Sequence, residues 1–420
     1  MEILFKGVMG LHIGNILMFL IGFTLIYLAI KKEYEPNLLL PIGFGTILTN
    51  IPFSSVITGS KVLDQEVTKL VTMYPEFQTF FQTKLNYLFE NGQAYNVEPG
   101  FLTLLFNSGI VTELFPILIF IAIGAMTDFT PLLKNPVTVF LGAAAQLGIF
   151  VTLLLALFIG PLLGLLGIPF EGFSLKEAAS IGIIGSADGP TSIFVASQLA
   201  KDLLGPISVA AYSYMALVPL IQPPIIKLLT RRDERLIRME YEGGDLPKTI
   251  KIMFPIVITL IAGIIAPVSA ALVGSLMFGN LIRESGVVER LSNSAQNELA
   301  NLVTLLLGIT IGSTMSADKF LRPSTLLIIV MGLVAFAAGT AGGVLFAKLM
   351  NLFLKQKINP MVGAAGVSAF PMSARVIQRL AKEEDPTNFI LMQGVGANVS
   401  GILGSAIAGG LILALVSFFG

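Results

Sequence analysis

Long apolar runs alternate with short polar stretches along the 420-residue chain. Each run has about 16–30 residues, which is the length that a helix needs to cross a bilayer. The first run has no small-residue cleavage site after it, so we interpret it as a retained span. The pattern predicts an all-α polytopic membrane protein with about ten spanning helices, near residues 12–30, 38–53, 103–127, 137–166, 206–230, 252–267, 268–284, 297–316, 324–354 and 390–418.

Two further apolar segments, at 176–200 and 359–382, are interrupted by glycine, proline and polar residues. Basic residues concentrate in cytoplasmic loops, so the most basic loop, RRDERLIR at 231–238, indicates the orientation of the chain. This loop shares a side with KKE (31–33) and KQK (355–357) only if the segment 176–200 enters and leaves the membrane on one face. We therefore predict that both broken segments are re-entrant.

The two broken segments are similar in sequence. Residues 185–201 (GSADGPTSIFVASQLAK) align without a gap with 366–382 (GVSAFPMSARVIQRLAK), and each matching pair is separated by 181 positions, as Gly185 and Gly366 are. Upstream, IAIGAMTDFTPLLKNP resembles ITIGSTMSADKFLRP. Opposite entry makes this an inverted repeat, typical of secondary-transporter folds. The predicted regions are N-terminal spans with a polar extracytoplasmic segment (1–100), a first repeat (101–230), the basic loop with connecting helices (231–290) and a second repeat (291–420).

Asp188 lies within the first break, in GSADGPTS at 185–192. One interpretation is a carboxylate that stabilises a helix N-terminus. The other is an intramembrane carboxylate whose desolvation is offset by a cation or a proton. The second copy has Ala369 at the matching position, with Ser368 and Asn359 nearby. One charge among neutral oxygens favours a monovalent cation over Ca²⁺ or Mg²⁺, so we predict Na⁺, with a proton as its competitor.

Composition excludes several classes of function. The net charge is zero, which indicates no nucleic-acid partner. The chain has no cysteine, so disulfides and thiol chemistry are excluded. His12 is the single histidine, which excludes a multi-histidine metal site.

Five longer motifs resemble one family closely. They are IGIIGSADGPTS, AYSYMALVPLIQPP, FGNLIRESGVVERLS, INPMVGAAGVSAFPMSAR and GANVSGILGSAIAGG, which are similar to the β subunit of the sodium-translocating, biotin-dependent decarboxylases of oxaloacetate, methylmalonyl-CoA or glutaconyl-CoA. The resemblance runs from about residue 101 and is weaker before it. It implies an enzyme subunit that decarboxylates carboxybiotin and couples this reaction to Na⁺ export, with consumption of a proton.

The resemblance also implies partners and a location. The chain contains no biotin-attachment motif and no soluble catalytic domain. The expected partners are a soluble carboxyltransferase α subunit, a small membrane γ subunit and a biotin carrier protein that supplies the biotin cofactor. The expected β core is a homotrimer surrounded by lipid, in the cytoplasmic membrane of a bacterium or archaeon.

The family's functional residues match Asp188, Tyr214, Asn359, Gly363, Ser368, Arg375 and Asn398. The resemblance implies a Na⁺ site that uses side-chain oxygens of Asp188, Asn359, Ser368 and Asn398, with Gly363 permitting the close approach of a carbonyl. Many relatives have proline where this chain has Ala397.

The catalytic residues implied by the resemblance are Asp188, Tyr214 and Arg375. The phenol of Tyr214 would relay a proton or complete the cation shell, or else form a structural hydrogen bond. Arg375 would bind the carboxylate of carboxybiotin, or else be an inside-facing arginine that sets topology. Asp128 and Asp318 are expected to cap helices or face loops.

Two other functions remain open at this point. One is a secondary Na⁺/H⁺ or Na⁺/solute transporter that acts without a biotin carrier, since a fold does not fix a function. The other is a structural anchor for a soluble decarboxylase, against which the intramembrane Asp188 argues.

Overall fold

The computed structural model describes residues 7–84, 87–90, 93–240 and 244–419. Within these residues, five helices are long and apolar enough to cross a membrane: Ile13–Lys32, Thr138–Leu165, Lys248–Ile265, Pro323–Phe353 and Leu391–Phe418. Two bent helix pairs, Phe101–Val111 with Leu114–Met126 and Lys201–Met215 with Val218–Leu229, raise the number to seven if each pair is one span. The chain is therefore a predominantly helical, multi-pass membrane protein. The other predicted spans fall on shorter helices and stay predictions.

The remaining helices are shorter. The α-helices are Pro36–Thr49, Gln65–Met73, Phe77–Lys84, Phe101–Leu105, Thr130–Lys134, Leu175–Gly182, Gly189–Leu199, Leu204–Ala216, Arg232–Arg235, Ala270–Ser285, Glu289–Ser294, Ala300–Ser313, Ala317–Phe320, Met361–Ala364 and Met372–Glu384. Turns of 3₁₀-helix occupy Ile183–Ser186, Lys201–Leu203 and Pro267–Ser269, and π-helical turns occupy Phe106–Val111 and Ala295–Leu299. The span at Thr138–Leu165 is divided into Thr138–Ala145 and Leu147–Leu165, and the last helix extends to Phe419.

The polar stretch after the second helix forms a small sheet that the sequence did not predict. Strands Thr58–Asp64, Tyr87–Glu90 and Gln93–Pro99 are antiparallel, with Gln93–Pro99 in the centre. The helix Gln65–Met73 follows the first strand, and Asp64 caps it by accepting from the backbone amides of Glu66 and Val67. Residues 50–57 connect the sheet to the end of Pro36–Thr49.

Helices from the two halves of the chain pack against each other in two corresponding ways. The helix Pro36–Thr49 packs against Ala300–Ser313, and Leu114–Met126 packs against Ala270–Ser285. A Cβ added at Gly124 would lie 1.8 Å from the carbonyl oxygen of Leu276, so the second pair requires glycine at its contact.

An asparagine forms a hydrogen bond between the helices in each of these two pairs. Asn50 donates from Nδ2 to the carbonyl oxygen of Met315 at 2.8 Å. Asn280 donates from Nδ2 to the carbonyl oxygen of Thr127 at 3.0 Å. Met315 and Thr127 both follow the ends of their helices, so each asparagine pairs a carbonyl that the helix leaves open.

The basic loop at 231–238 is held by an acidic cluster at the end of Met372–Glu384. Arg235 pairs with Glu384 at 2.7 Å, and Arg238 pairs with Asp385 at 2.6 Å. Lys348, near the end of Pro323–Phe353, pairs with Glu234 at 3.0 Å. We call this end of the molecule the basic-loop side.

Another ion pair marks the opposite end. Lys319, which precedes Pro323–Phe353, pairs with Asp202 at 3.5 Å. The 31-residue helix between Lys319 and the basic-loop side is about 46 Å long at 1.5 Å per residue. Asp202 therefore lies far from the basic loop, at an end that we call the far side.

Candidate functional site

The first break is built from two short helices that end and begin inside the protein. Ser174 caps the helix Leu175–Gly182 by accepting from the amide of Glu177, whose carboxylate returns the contact. After the turn Ile183–Ser186, Ala187 adopts a left-handed conformation with φ of +54°. This reversal stops the helix, and Asp188 begins the next one.

Asp188 is 6% exposed, and two contacts fix its carboxylate. Oδ1 accepts from the backbone amide of Thr191 at 3.2 Å, as an N-cap side chain does. Oδ2 accepts from the hydroxyl of Ser405 at 2.5 Å, from the C-terminal helix Leu391–Phe419. The capping interpretation and the intramembrane-carboxylate interpretation are therefore compatible, because the cap uses only one of the two oxygens.

The second break follows the short helix Met361–Ala364 and ends where Met372–Glu384 begins. Asn398 donates from Nδ2 to the carbonyl oxygens of Ala365 at 3.1 Å and Val367 at 2.6 Å. It thereby pairs carbonyls that the broken helix leaves without intrahelical partners. Its own Oδ1 is buried without a hydrogen-bond partner among the residues that the structure describes.

The two breaks touch each other. The backbone amide of Ser368, in the second break, donates to the carbonyl oxygen of Ser186, in the first, at 3.0 Å. The similar segments thus meet at their unwound residues. Irregular backbone inside a membrane needs such burial against protein.

Asp188 and Ser368 line one cavity of about 210 Å³. Tyr212 and Glu35 also line it. The hydroxyls of Ser368 and Tyr212 are buried, and neither has a hydrogen-bond partner within the described residues. Buried polar groups are normally paired, so two open hydroxyls beside a carboxylate favour a bound polar ligand. A small cation held by oxygens fits this set of donors.

Tyr214 and Gly363 have structural contacts. The hydroxyl of Tyr214 donates to the carbonyl oxygen of Ile329, on the long helix Pro323–Phe353. A Cβ at Gly363 would lie 2.0 Å from the carbonyl oxygen of Gly343, so Gly363 permits close packing on the same helix. Neither residue lines the cavity that contains Asp188.

Asn359 connects the second broken segment to the basic loop. Its Nδ2 donates to the carbonyl oxygens of Arg235 at 2.8 Å and Ile237 at 2.9 Å. Its Oδ1 accepts from the backbone amide of Met361 at 3.1 Å. Asn359 also does not line the cavity, so its part in a Na⁺ site stays a prediction.

Arg375 is exposed on Met372–Glu384, in the first turn after the second break. Within the described residues, its guanidinium forms no ion pair, whereas Arg235 and Arg238 are paired with the acidic cluster. Arg375 is therefore a cation available to an anionic ligand. Asp128 accepts from the amide of Thr130 at 2.9 Å, in the turn that leads into the helix Thr130–Lys134.

Two residues that the sequence did not single out belong to the site. Tyr212 lies two residues before Tyr214, and Ser405 lies in the motif GANVSGILGSAIAGG. Helical spacing of 3.6 residues per turn places Tyr212 and Tyr214 on nearly opposite faces. The spacing therefore predicts that only one of the two tyrosines faces the cavity, but it does not indicate which one.

Comparison with known proteins identifies the family. Residues 14–416 match the family model of the "Na⁺-transporting oxaloacetate decarboxylase beta subunit". The match includes most of the first hundred residues, where the motif resemblance was weaker.

Curated relatives belong to the same family as the family model indicates. The methylmalonyl-CoA decarboxylase subunit beta of Propionigenium modestum is 49% identical over 97% of this chain and 96% of the relative. The oxaloacetate decarboxylase beta chain of Haemophilus ducreyi is 47% identical over 98% and 97%, and the glutaconyl-CoA decarboxylase subunit beta of Acidaminococcus fermentans is 47% identical over 98% and 96%. These relatives are decarboxylase subunits and give no support to a transporter that acts alone. The chain belongs to the family of β subunits of the Na⁺-transporting decarboxylases.

Proposed function

We propose that this subunit releases CO₂ from carboxybiotin carried by a partner and couples the release to Na⁺ export, with uptake of a proton. The proposal rests on one observation: Asp188 and Ser368, from separate broken segments that touch, line the same cavity. The carboxylate supplies the charge that a desolvated cation requires, and the hydroxyl supplies a neutral oxygen.

The proposed Na⁺ ligands are Asp188 and Ser368. Asn398 holds the second break in shape and offers its buried Oδ1 from the same region. Asn359 and Gly363 are proposed to position the backbone around the site. Tyr214 is proposed to act through its hydrogen bond to the helix Pro323–Phe353. This division follows from the contacts of each side chain.

Decarboxylation of carboxybiotin requires protonation of the departing ureido nitrogen. Biotin on the partner carries the carboxyl group and delivers it to this subunit. A carboxylate such as Asp188 holds either Na⁺ or a proton, so occupation by one opposes the other. Release of Na⁺ and arrival of a proton are thereby linked at a single side chain.

Arg375 is proposed to bind the carboxylate of carboxybiotin. It is exposed and beside the second break, and it has no ion pair within the described part of the chain. A guanidinium binds a planar carboxylate through two parallel hydrogen bonds, which fixes both position and orientation. The residues present therefore fit an anionic donor that arrives from the basic-loop side.

We also propose ten membrane crossings with two re-entrant segments. The ion pair between Lys319 and Asp202 favours this topology, because it puts the residues that follow Gly189–Leu199 on the far side. The basic loop lies at the other end of Pro323–Phe353, where Lys348 pairs with Glu234. The helices between Asp202 and the loop then cross the membrane once. The first broken segment therefore enters the membrane from the far side and returns to it.

The matching contacts of the two halves support an inverted repeat. Pro36–Thr49 packs on Ala300–Ser313 in the way that Ala270–Ser285 packs on Leu114–Met126. In each pair, an asparagine closes the contact. The proposed repeat therefore includes the helical hairpins at 13–49 and 248–285, which the sequence alignment did not contain.

The proposed assembly contains a carboxyltransferase α subunit, a small membrane γ subunit and a biotin carrier protein, around a homotrimeric core in a bacterial or archaeal cytoplasmic membrane. The relatives are named as subunits or chains of larger decarboxylases, which supports a multi-subunit complex.

The experiment that tests the proposal supplies carboxylated biotin carrier to the complex in sealed proteoliposomes. We expect CO₂ release that depends on Na⁺ and is accompanied by Na⁺ movement. Na⁺ movement without the carrier, or CO₂ release indifferent to Na⁺, would overturn the coupling. The matched control is carrier that bears uncarboxylated biotin.

A further inference from the structure

The cavity that contains Asp188 has a second carboxylate, Glu35. Glu35 lies between the helices Ile13–Lys32 and Pro36–Thr49, and its side chain makes no capping hydrogen bond to the helix that it precedes. Its backbone is left-handed, with φ of +38°, a region that non-glycine residues rarely adopt. The carboxylate of Glu35 thus lines the cavity and does not cap the helix, and its backbone is in a strained conformation.

Glu33, two residues earlier, is a natural comparison. It also has a left-handed backbone, with φ of +52°, but it is exposed and does not line the cavity. Glu35 is partly buried, and burial raises the pKa of its carboxyl above the ordinary value. No partner within the described residues offsets this burial by a hydrogen bond or an ion pair. A bound cation would offset it.

Glu35 precedes the helix Pro36–Thr49, and Asn50, at the other end of that helix, contacts Met315 close to Lys319 on the far side, so Glu35 lies towards the basic-loop side. Met126 and Ala300 line the same cavity, and Met126 accepts from Arg283 through its carbonyl oxygen at 2.8 Å. The chain continues from Met126 to Lys134, whose ammonium group contacts the carbonyl oxygen of Gly244, just after the basic loop. The cavity thus extends from this side to Asp188 at the crossing of the breaks.

Polar groups lie along the cavity between the two carboxylates. Tyr212 is 4% exposed, and its hydroxyl has no partner among the described residues. Its ring packs on Gly189, where a Cβ would lie 2.2 Å from the ring, and this places the tyrosine beside Asp188. Thr304 is a further lining residue with a hydroxyl group. These oxygens could replace water around a cation that moves between the carboxylates.

We propose that Glu35 forms a second monovalent-cation site at the basic-loop end of the cavity, from which Na⁺ reaches Asp188 past the hydroxyl of Tyr212. The inference rests on the proposed Na⁺ site at Asp188 and adds the residue that loads it. It also explains why the buried hydroxyl of Tyr212 has no hydrogen-bond partner in the described part of the chain.

The first test compares Glu35→Gln with Glu33→Gln in the complete complex. Removing a charged ligand weakens binding by roughly tenfold or more, so Glu35→Gln should raise the half-saturating Na⁺ concentration by about that factor. Glu33→Gln should change it by less than about twofold, because the group is exposed. Equal values for the two variants would overturn the inference.

The second test uses the absence of cysteine from the chain. The substitution Asn37→Cys, at an exposed residue that lines the cavity, gives a specific labelling site on this subunit. We expect Na⁺ to slow its modification by a charged thiol reagent, and K⁺ at equal ionic strength to have no such effect. Adding Glu35→Gln should abolish the protection, while adding Glu33→Gln should preserve it. Protection that survives Glu35→Gln would contradict the second site.

Asp188→Asn separates this inference from the proposed function. If activity and Na⁺ dependence survive Asp188→Asn, the proposed function itself fails. If Asp188→Asn abolishes activity but Na⁺ still protects the cysteine at Asn37, the site at Glu35 binds Na⁺ independently, as proposed. If Asp188→Asn is inactive and Glu35→Gln behaves as Glu33→Gln does, only the second site is wrong.

Discussion

Ser405 donates a hydrogen bond to Oδ2 of Asp188 at 2.5 Å, and so joins the C-terminal helix to the first break. The hydroxyl also lies 2.8 Å from the carbonyl oxygen of Ile402, within its own helix. Because the other oxygen of Asp188 accepts from Thr191, both carboxylate oxygens are positioned by protein donors. The orientation of the carboxylate is therefore set by both halves of the chain.

Ser405→Ala should raise the half-saturating Na⁺ concentration by roughly tenfold or more, because the carboxylate loses a charge-assisted hydrogen bond worth about 1.5–3 kcal/mol. Ser405→Thr retains the hydroxyl and serves as the control. A Na⁺ titration of decarboxylation measures the effect. An unchanged titration for Ser405→Ala would show that the contact does not position the ligand.

Asp188→Asn should abolish Na⁺-coupled decarboxylation and leave the complex assembled. The amide preserves the size of the side chain and one oxygen, but it removes the charge that holds a cation in a desolvated site. Na⁺ uptake by proteoliposomes measures the loss. The control is Asp128→Asn, which alters an aspartate in a turn outside the cavity and should leave transport intact.

Ser368→Ala should increase the Na⁺ requirement, with little loss of the maximal rate. The substitution removes one proposed neutral ligand of Na⁺, while the backbone contact to Ser186 remains. We expect roughly a tenfold rise in half-saturating Na⁺ at most, since one neutral hydrogen-bond partner contributes about 0.5–1.5 kcal/mol. A loss of turnover that high Na⁺ does not restore would assign Ser368 to the reaction rather than to the ion.

Arg375→Ala should lower turnover even at saturating Na⁺, because it removes the proposed contact to the carboxyl donor. Arg375→Lys should recover only part of the rate, since an ammonium group lacks the planar fork of guanidinium. Arg379→Ala, on the same helix, is the control. If high Na⁺ rescues Arg375→Ala, the arginine acts on the ion site and not on the biotin site.

The ion pairs of the basic loop should weaken in acid. Hydrogen bonds from Thr387 and Arg238 lower the pKa of Asp385 from 3.8 to about 2. A carboxyl group whose pKa is lower in the folded state stabilises the fold at any pH above its unfolded-state pKa. This contribution disappears as the pH falls through about 4 towards 2. Asp385→Asn should remove this contribution at neutral pH and make the loop more sensitive to trypsin. Equal cleavage rates for both proteins would show that the pair does not hold the loop.

The resemblance predicted that Asp188 and Ser368 share a site, and the ungapped alignment placed one of them in each break. It did not predict the positions of Asn359 and Tyr214, because a motif does not show which groups a side chain contacts after folding. Ser405 was missed among several small residues of one helix face. The sheet at 58–99 was missed because its strands are short and lack a regular alternation of polar and apolar residues.

The hydrogen bond between Asp188 and Ser405 also constrains how the protein is made. The two residues are 217 positions apart, so Asp188 emerges from the ribosome long before its partner. Until the C-terminal helix inserts, the first break has a carboxylate and open carbonyls at the depth of the lipid, where unpaired polar groups are unfavourable. The insertion machinery must therefore keep the first break of the nascent chain away from lipid until the C-terminal helix is made. A gene divided within the basic loop would yield a functional site only if both fragments were produced together.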